Sequence, residues 1–501
     1  MRKLMIVSVA LVAFAAQADL KLGTPFADGM VLQRGMNVPV WGWADAGEEV
    51  TVAFAGQTRT AKADATGKWR VDLAPLEASK KGRTFEVCTQ NKDKVAVKDV
   101  LVGEVWYCCG QSNTEFPLVG GSPRFRDRQG AMVAQVTHRP FIRFAYCSNY
   151  RAAAAPKAKA DYPVAWKAFT PENLGKSPSF SAMGVYYALE LYAALEIPVG
   201  IIGSYWGGTR AEPWTPREGF AATKGCEKEV AYQPEVAGFK PERMNELGYS
   251  RQTFRDQPMA LWNEMVAPWT PFAMRGFIWY QGCSNAKDYA RYDTIMHALY
   301  NGWSKCFENP NLKLYFVQLA PWGTPIIPHI QEAQAQFAAE EKNAAMAVIN
   351  DLGNLHDIHP NEKELVAKRL ALHALKRDYG FTEIEDDSPT LKSWKVEGDK
   401  FVVEFDHAKE LYVYNADRSL ANGFEIAGAD GQLVPAKIQN AVASKRDGKP
   451  VYLGTLDGPR VVVSAEGVKE PKKLRYLYSS PWFGAIYNEV NLPLGAFHIG
   501  D

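Results

Sequence analysis

Apolar and polar residues alternate through the first part of the chain, residues 19–100. The stretches "NVPVWGWA" (37–44) and "EEVTVAFAGQTRTAKA" (48–63) show this period of two, and "DATGKWRVDL" (64–73) places a turn before another such run. A period of two is typical of strands with one buried face. No segment with a helical period interrupts them, so residues 19–100 are predicted to form a β-sandwich-like domain.

The pattern changes over residues 101–385, where short apolar runs alternate with segments of helical period. The predicted strands are GEVWYCC (103–109), VGIIGSYW (199–206), GFIWYQ (276–281), LKLYFVQLA (312–320) and MAVIND (346–351). Between the first two, Val185, Leu189 and Tyr192 recur on one helical face. This alternation predicts an α/β domain with a mostly parallel sheet, and the polar segment 215–260 is predicted to be an insertion.

Strand patterns return over residues 386–501. The runs "KFVVEF" (400–405) and "RVVVSA" (460–465) are apolar and β-branched. The last part of the chain is therefore predicted to be a second β-module.

Residues 1–18 have the pattern of a secretory signal peptide. A basic start, "MRK", precedes the apolar run "LMIVSVALVAFAA", and Ala16-Gln17-Ala18 forms a small-x-small cleavage site before Asp19. No cysteine follows the apolar run, and no later run approaches the ~20 apolar residues of a membrane helix. We expect an exported protein, periplasmic or secreted, without a membrane anchor.

Charge and cysteine content exclude several classes of protein. The 501 residues carry 57 basic and 56 acidic side chains, and this balance argues against a nucleic-acid partner. The seven cysteines are irregularly spaced and include no CxxC or Cys/His cluster. We therefore predict no metal, while disulfide pairing and oligomeric state stay open.

Glycine and polar side chains follow several of the predicted strands. The first strand leads into Gly110-Gln111-Ser112-Asn113, the second into Gly207-Gly208-Thr209, and the third into Gly282-Cys283-Ser284-Asn285. Ligands of open α/β sheets bind just beyond the carboxyl ends of the strands. The repeated pattern predicts one active site assembled from several strand ends.

The residue types at these strand ends fit acyl transfer. Ser112 is the predicted nucleophile, His359 the predicted base and Asp357 the predicted orienting acid. Asp351, at the end of the last strand of the α/β domain, is the alternative acid, although a turn or capping role suits it better.

The predicted base lies on a short loop before a helix. Pro360 disfavours helical backbone at His359. Asn361 resembles an N-cap, with Glu364 three residues later as its capping-box partner. The loop is thus predicted to be fixed by the start of the helix.

The oxyanion hole needs N–H donors close to the nucleophile. The predicted donors are the backbone N–H of Ser112, that of Gly207 or Gly208, and a side-chain amide from Gln281 or, second, Asn285. The serine does not lie in a G-x-S-x-G elbow, because Thr114 occupies the last position.

Cys108 and Cys109 precede the predicted nucleophile and could compete with it. Both continue an apolar strand, and no nearby histidine or basic residue in the sequence would lower a thiol pKa. They are predicted to be buried structural residues.

These stretches resemble the sialate O-acetylesterase family of SGNH-type carbohydrate esterases. The resemblance covers the mature chain through "VGEVWYCCGQSNTEFPL", "PVGIIGSYWGGTRAEPWTP", "MRGFIWYQGCSNA", "NDLGNLHDIHPNEKELVAKRLAL" and "GFEIAGADGQLVPA", in the order of the family. It implies an SGNH-hydrolase-like α/β domain flanked by β-sandwich-like modules. It further implies a serine esterase that removes O-acetyl groups from sialic acids of host-derived glycans, without metal or cofactor.

The family pattern assigns the nucleophile to Ser112 and the rest of the triad to Asp357 and His359. It assigns oxyanion contacts to the "WGGT" and "WYQG" blocks. The chain departs from the pattern at Thr114, which replaces Met, at Cys283, which replaces Glu, and at Asn354, which replaces Asp.

Two other functions compete with a sialate esterase. One is an acetyl esterase for plant polysaccharides such as xylan or xyloglucan, because specificity lies in the loops 120–180 and 215–260. The other is a carbohydrate-binding protein on an inactive esterase scaffold, which the departures at Cys283 and Asn354 favour and the intact triad opposes.

Overall fold

The three-dimensional description rests on a computed structural model of the 501-residue chain. It describes residues 20–500 except 92, 122–124, 148–149, 177–179, 354–355, 415–422, 447–448 and 479–485. The predicted signal peptide, residues 1–18, and Asn354 lie outside the described residues.

The first part of the chain forms two sheets of short strands. These strands are β1 (Lys21–Leu22), β2 (Val31–Gln33), β3 (Val38–Trp43), β4 (Glu49–Phe54), β5 (Gln57–Lys62), β6 (Lys68–Leu73), β7 (Ser79–Thr89) and β8 (Lys94–Gly110). One antiparallel sheet has the strand order β1-β3-β6. The other has the order β5-β4-β7-β8 with antiparallel neighbours, and β2 pairs parallel with β8. Buried and exposed residues alternate along β4 and β6, as predicted.

Strand β8 continues from this first sheet into the central sheet of the next domain. Its first six residues are mostly exposed, and all residues from Val100 onward are buried. Asp99, at φ 54°, has a left-handed backbone at the point of change, and its carboxylate pairs with Arg143 over 2.7 Å. The predicted boundary at 100/101 therefore lies inside one strand.

The central sheet is mostly parallel. Its further strands are β9 (Arg139–Tyr146), β10 (Trp166–Phe169), β11 (Val199–Tyr205), β12 (Gly276–Tyr280), β13 (Lys313–Val317) and β14 (Ala344–Ala347). The order is β10-β9-β11-β8-β12-β13-β14, and all neighbours are parallel except the edge pair β10 and β9. Four of the five strands predicted for this domain occur where expected, and the fifth, predicted at 346–351, lies earlier, at Ala344–Ala347.

Helices cover both faces of the central sheet. They are α1 (Ser112–Glu115), α2 (Gly130–Val136), α3 (Pro171–Lys176), α4 (Ala182–Leu195), α5 (Arg217–Ala221), α6 (Glu227–Ala231), α7 (Tyr292–Cys306), α8 (Ile327–Glu340) and α9 (Lys363–Tyr379). Shorter 3-10 helices span Glu212–Trp214, Pro241–Leu247, Phe254–Asp256, Ala267–Trp269 and Cys283–Arg291, and a π-helix spans Trp262–Val266.

Alternate residues of β8 face different helices. A β-carbon added to Gly184 of α4 would lie 3.2 Å from Cys108 Sγ, so Cys108 faces α4. The ring of Tyr107 meets that of Trp303 of α7 at 5.2 Å on the other side. Both faces of the strand are covered, which explains its continuous apolar sequence.

The last part of the chain contains three four-stranded sheets. Their strands are β15 (Thr390–Glu397), β16 (Lys400–Asp406), β17 (Leu411–Tyr414), β18 (Phe424–Ala427), β19 (Val434–Pro435), β20 (Lys437–Ile438), β21 (Val442–Arg446), β22 (Lys449–Thr455), β23 (Arg460–Ser464), β24 (Lys473–Tyr476), β25 (Ile486–Asn488) and β26 (Phe497–Ile499). All pairings between them are antiparallel.

The buried apolar side chains of the described residues form two hydrophobic cores. One runs through buried residues between Leu20 and Ala374 and thus joins the first sheets to the central sheet. The other lies between Phe401 and Ile499. Polar contacts join the two parts, since His498 pairs with Glu332 of α8 over 2.9 Å.

All seven cysteines lie within the described residues and are free thiols. None of the described helices combines the length and apolar character needed to cross a bilayer.

Candidate active site

Ser112, His359 and Asp357 form a hydrogen-bonded chain at the carboxyl edge of the central sheet. Ser112 Oγ lies 2.9 Å from His359 Nε2, and His359 Nδ1 lies 2.8 Å from Asp357 Oδ1. The same carboxylate oxygen accepts the backbone N–H of His359 over 3.0 Å. With its proton on Nδ1, the imidazole presents Nε2 to the serine hydroxyl as an acceptor. The structure thus brings together the three residues predicted as a triad.

A tight turn after β8 positions Ser112. Gly110 has φ 141°, and a β-carbon there would lie 2.4 Å from the carbonyl oxygen of Tyr280, so only glycine fits. The Thr114 hydroxyl lies 3.1 Å from the same oxygen and 3.2 Å from the carbonyl oxygen of Cys109. Thr114 therefore ties the nucleophile turn to the ends of β8 and β12.

Burial keeps His359 neutral at neutral pH. Desolvation lowers its pKa below the ordinary 6.5, and Asp357 opposes this by favouring the protonated ring. The ring packs edge-on against Phe125, with centroids 5.1 Å apart. A neutral imidazole is the form that can accept the serine proton.

The helix after His359 begins later than predicted. Its N-cap is Glu362, which makes no capping side-chain bond, and the first helical residue is Lys363. Asn361 is not the N-cap, so the loop is held by other contacts.

Asp351, the alternative acid, pairs with an arginine of α9. Its two carboxylate oxygens each accept from the Arg369 guanidinium over 2.7 Å. This bidentate pair gives Asp351 a structural role on α9, so Asp357 is the acid beside the base.

The glycine pair after β11 lies against the nucleophile, but one of its N–H groups is already engaged. Gly207 N–H donates to Glu115 Oε2 over 2.6 Å, and Tyr150 hydroxyl donates to the other oxygen of that carboxylate. The N–H of Gly207 is therefore already used, which leaves Gly208 of the two predicted alternatives. Among the described residues, the N–H groups of Ser112 and Gly208 make no such bond.

The predicted side-chain donor Gln281 is also not free. Its amide nitrogen donates to Thr209 O over 3.0 Å and to Asn285 Oδ1 over 2.8 Å, which uses both amide hydrogens. Its amide oxygen accepts from Tyr292. Gln281 is completely buried and acts as a structural link rather than an oxyanion donor.

Asn285 belongs to the same buried network. Its oxygen also accepts from Ala211 N–H over 3.0 Å, and its nitrogen donates to Glu212 over 3.0 Å. At most one amide hydrogen of Asn285 is left for a substrate oxygen. Of the predicted oxyanion donors, the backbone N–H groups of Ser112 and Gly208 and one amide hydrogen of Asn285 are left.

An ion cluster beneath the site explains why these amides are fixed. Arg210 is 1% exposed and pairs with Glu212 over 2.6 Å and with Asp288, while its guanidinium stacks 4.2 Å from the Tyr249 ring. Because buried charges need partners, the cluster holds the loop after β11 against the loop after β12. The sequence shows these residues in "WGGTRAEP" and "NAKD" but not their pairing.

Lys363 and Asn113 connect the nucleophile turn to the triad loop. Lys363 is completely buried, and its ammonium group donates to Asn113 Oδ1 over 2.6 Å. Asn113 Nδ2 in turn donates to the carbonyl oxygen of Ile358, between the acid and the base, over 2.9 Å. Burial lowers the pKa of Lys363 from 10.5 to about 7. The sequence showed Asn113 beside Ser112 in "GQSN" without giving it a role, and no pattern singled out Lys363.

The cysteines near the site are protonated at neutral pH. Burial raises the pKa of Cys108 to about 12 and that of Cys109 well above its usual range. Burial also raises the pKa of Cys283 to about 12. Since thiolates are the reactive form, none of these thiols suits a nucleophilic role.

Carboxylate and histidine groups with cation-binding spacing occur elsewhere. Among the described residues, His373, Asp386 and Asp387 form one such group, and Glu385, Asp387 and His407 form another. Arg377 already pairs with Asp386 and Asp387 over 2.6 Å. Neither group includes a residue of the predicted triad.

Comparison with known proteins identifies the family to which the chain belongs. A family model described as "Carbohydrate esterase, sialic acid-specific acetylesterase" matches residues 102–376, more than half of the chain. The chain is 29% identical over 482 residues to a sialate O-acetylesterase of Rattus norvegicus, covering 85% of each protein. It is 28% identical over 434 residues to that of Homo sapiens, covering 79% and 78%.

A solved structure shares the whole fold. The crystal structure of a carbohydrate acetylesterase from Xanthomonas citri superposes with a TM-score of 0.79 at 31% sequence identity. The match covers 96% of this chain and 99% of that one.

Proposed function

The chain belongs to the carbohydrate esterases of the sialic acid-specific acetylesterase family, and from that membership we propose that it removes O-acetyl groups from sialic acids through an acyl-enzyme at Ser112. It is an ester hydrolase with a mixed α/β fold. The observation that carries the mechanism is the chain of hydrogen bonds from Ser112 through His359 to Asp357.

In the acylation half-reaction, Ser112 Oγ attacks the acetyl carbonyl carbon while His359 Nε2 takes the hydroxyl proton. Asp357 holds the ring and stabilises the imidazolium that forms. The N–H groups of Ser112 and Gly208 support the oxyanion of the tetrahedral intermediate. The intermediate then expels the sugar alcohol, which receives the proton from His359, and leaves acetyl-Ser112.

Deacylation repeats these steps with water. His359 removes a proton from water as it attacks the acetyl carbon, and then returns that proton to Ser112 Oγ as acetic acid leaves and ionises to acetate. The half-exposed Ser112 lets water reach the acyl group. No group other than the described side chains is needed to balance protons.

The SGNH-type assignment and export to the periplasm or exterior are part of the proposal. The order of motifs and the parallel sheet with the serine after its central strand support the first. The apolar segment and cleavage pattern of residues 1–18 support the second.

The test is acetate release from O-acetylated sialic acid compared with acetylated xylan, using equal concentrations of the purified protein. We expect release from the sialic acid and little from xylan. Ser112→Ala protein is the control, and it should release acetate from neither. Faster release from xylan would replace the proposed substrate by a plant polysaccharide, while release from neither by the unmodified protein would favour a binding role.

A further inference from the structure

Two arginines beside the nucleophile lack a close carboxylate partner. Arg255 donates to the carbonyl oxygen of Gly207 over 3.0 Å, and within the described part of the chain it forms no ion pair. Arg251 donates to Ser284 Oγ over 3.1 Å, and its Nε lies 3.9 Å from Asp256. Arg369 on α9, by contrast, holds Asp351 at 2.7 Å.

The two guanidinium groups converge on Gly208. A β-carbon added there would lie 3.3 Å from Arg255 Nη2 and 3.8 Å from Arg251 Nη1. A β-carbon added to the preceding Gly207 would lie 3.3 Å from Ser112 Cβ. Since consecutive Cα atoms are about 3.8 Å apart, one sugar can contact the serine and both guanidinium groups.

An aromatic row borders the same place. The Tyr150 and Trp206 rings lie 5.0 Å apart, and those of Trp206 and Phe254 lie 5.6 Å apart. Tyr150 is 52% and Phe254 40% exposed, so both outer rings are open to a ligand. Exposed aromatic faces beside charged donors suit a molecule with both apolar and polar faces, such as a sugar.

Glu115, a carboxylate beside Gly207, is already hydrogen-bonded through both of its oxygens. Glu115 accepts from Gly207 N–H and from Tyr150 hydroxyl through its two oxygens. In the described part of the chain, it forms no ion pair with either arginine. The remaining guanidinium N–H groups are therefore available to an anion from outside the protein.

We propose that Arg251 and Arg255 bind the carboxylate of the substrate sugar and thereby select an acidic sugar over neutral ones. The proposal rests on the esterase function proposed above and assigns its substrate-recognition residues. Guanidinium groups match carboxylates in geometry, and charge-assisted hydrogen bonds are among the stronger ones. A neutral acetylated sugar would leave both positive charges unpaired.

The experiment compares three acetate esters with the full-length protein. They are an O-acetylated sialic acid, its carboxyl methyl ester, and the neutral 4-nitrophenyl acetate, with acetate measured in each case. The unmodified protein should show a kcat/KM for the free acid about 10- to 100-fold above that for the methyl ester, the range of one or two charge-assisted hydrogen bonds. Equal values for acid and methyl ester would overturn the proposal.

Arg251→Gln and Arg255→Gln variants separate recognition from structure. Each should lower kcat/KM for the free acid about tenfold or more, through KM, while the two neutral substrates keep their rates. Arg251→Lys should restore part of the loss. Arg243→Gln is the matched control, because Arg243 lies in the same segment and already pairs with Glu235 over 2.6 Å.

The outcomes distinguish this proposal from the esterase function. Equal losses on all three substrates would show that the arginines only support the fold of the loop. Acetate release from 4-nitrophenyl acetate but from neither sialic acid form would refute the proposed function itself. Release from both sialic acid forms at one rate would leave that function intact and refute carboxylate recognition.

Discussion

Replacing Ser112 by alanine tests the nucleophile directly. The variant should lose turnover of 4-nitrophenyl acetate by about three orders of magnitude or more, because the acyl-enzyme cannot form. Cys283→Ala is the control, since burial keeps that thiol protonated. Thermal unfolding of both variants checks that they fold. A Cys283→Ala loss as large as that of Ser112→Ala would move the nucleophile to the cysteine.

The pH profile reports the protonation of His359. Its pKa is lowered by burial, so the neutral form persists to lower pH than for a free histidine. kcat/KM should rise with pH around a midpoint below 6.5 and stay level through neutral pH. Asp357→Asn removes the charge that raises this pKa, so its residual activity should have a still lower midpoint. A midpoint above 6.5 in the unmodified protein would contradict the assignment.

Two aspartates on one segment should separate catalysis from stability. Asp357→Asn should lower turnover about 10³- to 10⁴-fold with little effect on unfolding, because it contacts the base. Asp351→Asn should lower the free energy of unfolding by about 3 kcal/mol and leave turnover per folded molecule nearly unchanged, because it pairs with Arg369. Urea unfolding and kinetics on both variants make the comparison. The reverse pattern would exchange their roles.

Sequence predicted the triad better than the oxyanion hole for a physical reason. Asp357 and His359 are neighbours in the chain, so their contact needs only a local turn. The direction of the Gln281 amide depends instead on Thr209 and Asn285, which distant segments bring to it. Donor type and spacing alone do not show which amide hydrogens are already used.

At the scale of elements, the hydrogen bond from Lys363 of α9 to Asn113 of the nucleophile turn should be needed for full kcat. Lys363→Met removes the donor to Asn113, and Asn113→Ala removes the link to Ile358. Each change should lower kcat on 4-nitrophenyl acetate about 10- to 100-fold, because the serine and base shift relative to each other. KM should change little, since neither side chain reaches the substrate.

A double-mutant cycle checks that these two residues act as one link. The double variant should be no slower than the slower single variant, because either change already breaks the link. Lys368→Met is a control on the same helix. Fully additive losses would mean that Lys363 and Asn113 act independently.

The sequence predicted the elements of the central sheet but not the way the chain enters it. Four predicted strands occur where expected, because their apolar runs are long and bounded by glycine or polar residues, whereas the fifth lies earlier, at Ala344–Ala347, and β9 and β10 were not predicted. The predicted boundary near residue 100 coincides with the change from exposed to buried residues along β8. A domain boundary would produce the same change in the side-chain pattern, so the sequence does not distinguish the two. The start of α9 at Lys363 rather than after Asn361 reflects tertiary contacts of a buried lysine.

For the whole molecule, the two hydrophobic cores should unfold separately. Val52 lies in β4 within the first core, and Val403 lies in β16 within the second; both are completely buried. Each change to alanine should cost about 2 kcal/mol. Val52→Ala should lower the temperature at which esterase activity is lost, although it is far from Ser112 in sequence. Val403→Ala should lower a different transition in calorimetry.

Activity measured during heating gives the decisive comparison. If both valine variants lower the activity midpoint equally, the molecule unfolds as one unit. If Val52→Ala leaves the activity midpoint unchanged, the first sheets are not part of the catalytic core.

Strand β8 also bears on how such a chain can be rearranged by recombination. A crossover point between the first sheets and the catalytic sheet would fall inside the strand that ends at the nucleophile turn. A recombined N-terminal segment would have to supply a domain and also the first half of β8 in the correct register. A shift of one residue would turn every side chain of the strand to the opposite face. The first sheets and the catalytic sheet are therefore expected to be inherited together. A module can be exchanged more easily after α9, before the residues of the second core.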